Sequence, residues 1–281
     1  LYIVYRNAST IYFRSSTNPA ANSWSVQRTV GTSAAIDNHT TYPWNACLEK
    51  NAEGRLYTAY LGSYGNSIYL YASNDGGTNW SAISSGMITE GSVLLHDTAI
   101  DDENLYILYS KAGSLYLAGR SAASGVPISG SPSMVTYQID SDSSPKLMLL
   151  SDAPGARTNA IEVLYTSNGR TMVRRCGFYA GSWVDAGEPF GQTVGGFPAT
   201  ASGFRSDTSA PCMYLASISS NEMRMTVSHS YDGMEWHAYG TGTAAMYPCY
   251  PSACFQGNNL YVAWWDDSTD KLKFIIFGVN Y

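Results

Sequence analysis

The stretch Leu56-Tyr-Thr-Ala-Tyr60, followed closely by Ser67-Ile-Tyr-Leu-Tyr71, decides the fold of this chain. Both runs are rich in aromatic and aliphatic residues and are separated by small polar residues, a pattern that indicates two β-strands joined by a short loop. The same pair of runs recurs along the chain, and its first member begins at residues 1, 56, 105, 161, 213 and 260. The sequence is therefore an internal repeat with a period near 52 residues.

Each period also contains two further runs. One carries a tryptophan, as at Trp24, Trp80, Trp183 and Trp236, and the other opens with proline followed by small residues, as at Pro43, Pro198 and Pro251. Four strands per period near this length are typical of a β-propeller blade. We therefore predict an all-β, six-bladed β-propeller of four-stranded antiparallel blades, with five or seven blades as the alternative. Residues 1–281 are predicted to form one domain that lacks the first inner strand and the last outer strand.

Composition and charge exclude several classes of function. The net charge is -6, only 14% of residues are charged, and there is no basic run, so nucleic-acid binding is not expected. No apolar stretch reaches the roughly 18–20 residues of a membrane span. The five cysteines fit no zinc-binding spacing, and neither a metal nor a cofactor is predicted.

Two turns carry nearly the same short motif. The pattern S-x-D-x-G-x-x-W is formed by Ser73, Asp75, Gly77 and Trp80, and a copy one residue shorter is formed by Ser230, Asp232, Gly233 and Trp236. These turns resemble the Asp-box of the BNR sialidase-like β-propellers, which implies a place between the third and fourth strands of a blade. There the aspartate would accept backbone N–H bonds, the glycine would take positive φ, and the tryptophan would pack back onto the strands. We predict a structural role for both turns.

The resemblance does not extend to sialidase chemistry. A sialidase-like site would need three arginines around the sugar carboxylate, with a tyrosine nucleophile and an acid/base aspartate. The arginines of this chain lie in strands or outer turns, and none opens an inner strand. The catalytic candidates near the predicted axis are His96 and Asp97, whose side chains should point to opposite faces of a strand and so cannot form one dyad.

The predicted inner strands open with aromatic and weakly polar residues instead. We predict a ligand surface around the axis, formed by Tyr42, Trp44, Lys146, Phe197, Tyr247 and Tyr250. Aromatic rings that stack on sugar rings, with a few polar groups that fix orientation, would make a glycan site. The alternative is that these aromatic side chains fill the centre of the fold.

Three functions fit these observations. The first is an extracellular or cell-surface lectin or adhesin-like propeller that binds carbohydrate or a surface glycan, with a protein partner as the alternative ligand. The second is an exo-acting glycoside hydrolase or lyase of sialidase-like architecture. The third is a structural propeller used in surface assembly. The first is the prediction, because the sequence contains no convincing catalytic set.

Overall fold

The computed structural model describes most of the chain, in segments separated by short gaps. The described residues are 2–17, 23–32, 46–62, 67–88, 93–101, 103–140, 145–150, 160–168, 170–177, 183–187, 194–204, 211–219, 224–230, 237–244, 252–256, 259–266 and 271–278. Every regular element in these segments is a β-strand, and all strand pairs are antiparallel. Two compact units divide the chain at Tyr137–Gln138.

The unit Leu1–Tyr137 contains three sheets. The first sheet is formed by β1 (Tyr2–Asn7), β2 (Thr10–Ser15) and β3 (Arg28–Gly31). The second is formed by β4 (Ala46–Lys50), β5 (Leu56–Leu61), β6 (Ile68–Ser73) and β7 (Ser81–Ile88). The third is formed by β8 (Val93–Ile100), β9 (Asn104–Lys111), β10 (Ser114–Ser121) and β11 (Ser133–Thr136). Strands are neighbours in chain order within each sheet, and β4 contacts β8 from one sheet to the next.

The unit Gln138–Tyr281 repeats this organisation. The fourth sheet is formed by β12 (Lys146–Leu150), β13 (Ala160–Ser167), β14 (Arg170–Gly177) and β15 (Trp183–Gly187). The fifth is formed by β16 (Val194–Phe204), β17 (Pro211–Ser219), β18 (Arg224–Ser230) and β19 (His237–Ala244). The sixth is formed by β20 (Ser252–Gln256), β21 (Asn259–Asp266) and β22 (Lys271–Gly278). The predicted four-stranded antiparallel sheets are therefore confirmed, whereas the number of blades stays a prediction.

The repeated tyrosines explain why the second and third strands pair in one register. Tyr60 lies directly opposite Tyr69, and their ring centroids are 5.5 Å apart. The corresponding pair of the third sheet, Tyr109 and Tyr116, is also stacked at 5.5 Å. Cross-strand aromatic pairs of this kind each contribute roughly 0.2–1 kcal/mol. The tyrosine repeat thus fixes the hairpin register, and a slip of one residue would move every side chain to the other face.

The cores lie between neighbouring sheets. All six residues of β5 are buried, because the second sheet packs on one face against the first sheet and on the other against the third. Ile11 and Phe13 of β2 pack with Tyr60 of β5, whereas Tyr57 of β5 packs with Leu105 of β9. A strand buried on both faces reads as a continuous apolar run, as Leu56–Leu61 does.

Candidate functional site

Most of the predicted ligand surface lies outside the described residues. This holds for Tyr42, Trp44, Tyr247 and Tyr250. Phe197 is described only as a backbone position in β16, and Lys146 is a half-buried residue at the start of β12. The predicted axial site therefore stays a prediction. The second Asp-box-like motif also stays a prediction. Asp232, Gly233 and Trp236 lie outside the described residues, and Ser230 is described only as the backbone end of β18.

The two catalytic candidates lie at a β-bulge in β8. Leu95 pairs with Tyr109 and Asp97 with Leu108, so His96 is the extra residue of the bulge. The bulge shifts the alternation of the strand, and His96 is only 8% exposed while Asp97 is half-buried. His96 Nε2 lies 2.8 Å from Ser110 Oγ in the interior. A general base must reach a substrate proton, and the burial of His96 favours packing over catalysis.

The turn Ser73–Trp80 between β6 and β7 is closed by its own side chains. The Asp75 carboxylate accepts hydrogen bonds from the backbone N–H groups of Thr78 (3.0 Å) and Asn79 (2.9 Å). It also accepts bonds from the Asn79 amide (2.7 Å) and from the Ser73 hydroxyl (2.8 Å). The Gly77 N–H donates to Ser73 Oγ at 2.9 Å. These bonds hold the pKa of Asp75 down to about 2, against an ordinary value of 3.8, and the backbone N–H of Asn79 is the largest cause.

This turn gives stability a specific pH dependence. Because the folded state lowers the pKa of Asp75, its stabilising effect is complete above the ordinary value of 3.8 and is lost as the pH falls towards about 2. Asp75→Asn removes the charge and places an N–H group against the Asn79 amide. We expect the variant to melt below the wild-type protein at neutral pH and the two melting curves to converge between pH 4 and pH 2. If the difference in melting temperature between the two proteins stayed constant from pH 4 to pH 2, this would contradict the role of the carboxylate.

The same turn joins the second sheet to the first. The Trp80 indole N–H donates to the Gly77 carbonyl at 3.1 Å, and the indole ring meets the Phe13 ring edge-on at 5.4 Å. The Phe13 ring in turn stacks on Tyr2 at 5.9 Å. Three aromatic rings thus occupy this side of the junction between the first two sheets.

The next junction, between the second and third sheets, is packed along its core but open beside the turns after β4, β8 and β10. It forms a depression of about 400 Å³ within the unit Leu1–Tyr137. One wall comes from the turn between β4 and β5, and the other comes from the turn between β8 and β9 and the residues after β10. The lining residues are Asn51, Glu53, Arg55, Tyr57, Glu103, Asn104, Ser121, Ala122 and Ala123. We call this depression the inter-sheet cleft.

The openness of the cleft has a cause in the sequence. The turn after β6 supplies Trp80 to the first junction, but the turn after β10 has the sequence Ser121-Ala-Ala-Ser-Gly-Val-Pro127, which contains no aromatic residue. Its small side chains, Ala122 and Ala123, line the cleft without filling it. The third sheet therefore leaves a space at the junction where the second sheet places an indole ring.

Arg55 is the cation among the described residues that line the cleft. The Asn51 side chain accepts a hydrogen bond from the Arg55 N–H at 2.9 Å, and the Asn51 N–H donates to the Arg55 carbonyl at 3.0 Å, so the turn fixes the Arg55 backbone. The guanidinium lies over the Tyr57 ring at 5.0 Å. Tyr57 is only 2% exposed, and this burial raises the pKa of its hydroxyl while Arg55 opposes the increase.

The Arg55 Nε atom is buried and has no hydrogen-bond acceptor among the described residues. A buried donor without an acceptor costs about 1–3 kcal/mol, so such groups are usually satisfied by another partner such as water or a ligand. A ligand oxygen in the cleft would not reach the enclosed Nε atom in this conformation, and would meet the outer part of the half-buried guanidinium. The guanidinium fork suits two oxygens on one molecule.

The opposite wall is held by Asp101. Its carboxylate accepts hydrogen bonds from the backbone N–H groups of Glu103 (2.8 Å) and Asn104 (2.6 Å) and from the Tyr106 hydroxyl (2.8 Å). The Glu103 carbonyl accepts a further bond from the Ala122 N–H at 2.8 Å. A rigid turn therefore presents Glu103 and Asn104 to the cleft. With Glu53 and Arg55 opposite, the described residues of the lining include one cation, two carboxylates and two amides.

Sequence reasoning missed this site. Arginines were considered only as a clamp on the inner strands, so Arg55 was not a candidate. The available signal was the contrast between Trp80 and the aromatic-free segment 121–127. In the part of the chain that the structure describes, no three His, Cys, Asp or Glu side chains converge as a metal site would require. The described segments also contain no helix able to span a membrane.

Comparisons with known proteins place the fold. No family model matches the sequence, and no curated protein matches it. A triple arginine-to-alanine mutant of AofleA from Arthrobotrys oligospora aligns with a TM-score of 0.66 and 11% identity, over 98% of this chain and 82% of that chain. The SapL1 lectin in complex with alpha methyl fucoside aligns with a TM-score of 0.64 and 10% identity, over 99% and 92% of the two chains.

A third similar structure is the Aleuria aurantia lectin, a fungal lectin with a six-bladed β-propeller fold and a novel mode of fucose recognition. It aligns with a TM-score of 0.58 and 16% identity, over 83% of this chain and 74% of that chain. At such low identities the similarity shows the fold alone. It confirms the β-propeller architecture that the repeat predicted, while membership of the BNR sialidase-like group stays a prediction.

Proposed function

We propose that the protein is a glycan-recognising, lectin-like β-propeller and that the inter-sheet cleft is a sugar-binding site. The observation that carries the proposal is the combination, in one cleft, of the half-buried Arg55 side chain with the carboxylates of Glu53 and Glu103 and the amides of Asn51 and Asn104. Sugar hydroxyl groups both donate and accept hydrogen bonds, so they can satisfy the guanidinium and the carboxylates together.

The comparisons support the same class of ligand. Two of the three similar structures are lectins whose descriptions name fucose or a fucoside. One fold can host many functions, so this support is indirect. We propose an extracellular or cell-surface location, in keeping with glycan recognition, and we retain the BNR sialidase-like resemblance and the six-bladed ring as proposals.

The chemistry of the cleft favours uncharged sugars. Glu53 and Glu103 both line it, and a negatively charged sugar beside two carboxylates would be repelled. Arg55 supplies a single guanidinium, whereas a sialidase-like clamp would use three. We therefore propose neutral glycans, with fucosides as the first candidates.

A broad glycan array tests this proposal. We expect the purified protein to bind a restricted set of neutral glycans and to bind sialylated or sulfated forms of the same glycans less well. Absence of binding to every glycan at high protein concentration would overturn the proposed function. Preferential binding of anionic glycans would instead overturn the assignment of the cleft as the site.

Glycoside hydrolysis is the second candidate. The observation in its favour is that Glu53 and Glu103 line the same cleft from opposite walls. Retaining and inverting glycosidases both place two carboxyl groups on either side of the scissile bond. Incubation of the glycans that bind, followed by analysis for released sugar, separates the two functions. Release that is lost in Glu103→Gln would assign hydrolysis, and unchanged glycans would leave binding as the function.

A further inference from the structure

A second depression adjoins the inter-sheet cleft. Its volume is about 310 Å³, and Arg55 and Ala123 line both depressions. Its other walls come from the Ser73–Trp80 turn and from β7, through Asn74, Asp75, Asn79, Ser81, Ala82 and Ile83. We call it the turn lobe. The motif that looked purely structural in the sequence thus also forms part of a concave surface.

We propose that the turn lobe binds the second unit of a glycan whose first unit lies in the inter-sheet cleft, so that the protein recognises an extended neutral glycan rather than a single sugar. This inference rests on the proposed function. The inference is based on two residues that line both spaces, the guanidinium of Arg55 and the small side chain of Ala123. A chain that passes over Ala123 could contact the Arg55 guanidinium from both units.

The size of the two spaces supports a chain of at least two units. Small-molecule pockets typically span about 300–1,000 Å³, so each depression is at the lower end of this range and their sum lies well within it. The residue at their junction, Ala123, is exposed and has the smallest side chain other than glycine. Arg55 is the other residue that lines both spaces, so the two depressions meet at the Arg55 and Ala123 side chains.

The lining of the turn lobe suits the second sugar unit of the bound glycan. Asn79 donates its amide N–H to Asp75 at 2.7 Å, and this bond fixes the orientation of the amide at the lobe. The exposed Asn74 and Ser81 side chains add donors and acceptors, while Ala82 and Ile83 provide an apolar patch. Sugar rings likewise combine a polar edge with an apolar face. Among the described residues that line the lobe, the cation is Arg55, which the lobe shares with the inter-sheet cleft.

Isothermal titration with matched probes tests the inference. Methyl α-L-fucoside and Fucα1-6GlcNAc form one pair, and N-acetylglucosamine with N,N′-diacetylchitobiose and galactose with lactose form two others. For the pair that the protein binds, we expect the disaccharide to bind about tenfold more tightly, the gain from one or two additional hydrogen bonds. Equal affinity for the monosaccharide and the disaccharide would overturn the inference but leave the proposed function intact.

A substitution at Ala82 tests whether the tighter binding of the disaccharide comes from the turn lobe. Ala82 is exposed on β7 and lines only this lobe, so Ala82→Leu fills the space without disturbing a core. We expect the variant to bind the disaccharide no more tightly than the monosaccharide and to bind the monosaccharide as the wild-type protein does. Ser129→Leu, an exposed residue outside both spaces, is the control and should keep the tenfold preference.

The outcomes separate the two proposals. A disaccharide preference that survives in Ala82→Leu would place the second unit elsewhere and overturn the inference. Failure of all six probes and of the glycan array would overturn the proposed function and the inference with it. Loss of monosaccharide binding in Ala82→Leu would show that the two spaces do not hold separate units, and would also overturn the inference.

Discussion

Gly77→Ala is expected to destabilise the protein by about 3 kcal/mol or more in the free energy of unfolding. Gly77 has a φ of +90°, a backbone conformation in which an alanine is strained. A methyl group at this position would also overlap the ring of Phe13 in the first sheet. Phe13 is 1% exposed and packed among buried neighbours, so its ring has little space into which it could move. Urea denaturation measured by tryptophan fluorescence gives the change.

Gly76→Ala is the matched control. Gly76 also has positive φ, +70°, but a methyl group there would meet nothing within 4 Å. This variant should show only the backbone strain, about 1 kcal/mol. A second comparison uses Phe13→Val, in which the overlapping ring atoms are absent. In this background, Gly77→Ala should lower the free energy of unfolding only as much as Gly76→Ala does. Equal costs for the two glycine variants in the wild-type background would contradict the proposed contact.

Much of the strand order could be predicted because its physical cause is local and repeated. The run Leu56–Tyr60 became β5 and Ser67–Tyr71 became most of β6, since paired tyrosines and buried aliphatic residues fix such hairpins. The fourth strands were less accurately predicted from tryptophan. Trp80 lies just before β7, because its indole N–H bonds the Gly77 carbonyl and commits the residue to the turn. Trp24 likewise precedes β3, which begins at Arg28.

Two features had no signal in residue periodicity. The bulge at His96 changes the alternation of β8, and an alternating pattern cannot indicate an extra residue that belongs to neither face. The inter-sheet cleft joins Arg55 to Glu103 and Ala123, which are separated by about fifty to seventy residues in the sequence. Only the packing of one sheet on the next brings them together. The sequence shows that segment 121–127 contains no aromatic residue, but the consequence for the space follows only from the packing of Trp80 against Phe13.

The surroundings of Arg55 hold its side chain in place before any ligand binds. The backbone hydrogen bonds with Asn51 fix where the side chain begins, and the Tyr57 ring supports the guanidinium from one side. Such pre-organisation lowers the entropy lost when a ligand binds. A guanidinium that is already held in place needs only suitable ligand oxygens, so its removal should weaken binding strongly.

Arg55→Ala is expected to weaken binding of the best glycan found on the array by about 30-fold or more, since an arginine in a binding site often contributes 2 kcal/mol or more. Arg55→Lys keeps the positive charge but loses the two-pronged geometry, and we expect an intermediate loss. Arg28→Ala is the control, because Arg28 is exposed on β3 in the first sheet and lines neither depression. Titration calorimetry measures all three variants with the same glycan.

The stability of Arg55→Ala should change little. The variant loses the contact between the guanidinium and Tyr57, about 0.5–1 kcal/mol, but it also removes a buried donor that has no acceptor among the described residues. A weakened affinity at nearly unchanged unfolding free energy therefore identifies a binding role. Full affinity in Arg55→Ala, combined with loss of binding in Trp44→Ala or Tyr250→Ala, would contradict the cleft and transfer the site to the aromatic surface that the sequence predicts. Because each of the two sites depends on its own residues, this single set of variants decides between them.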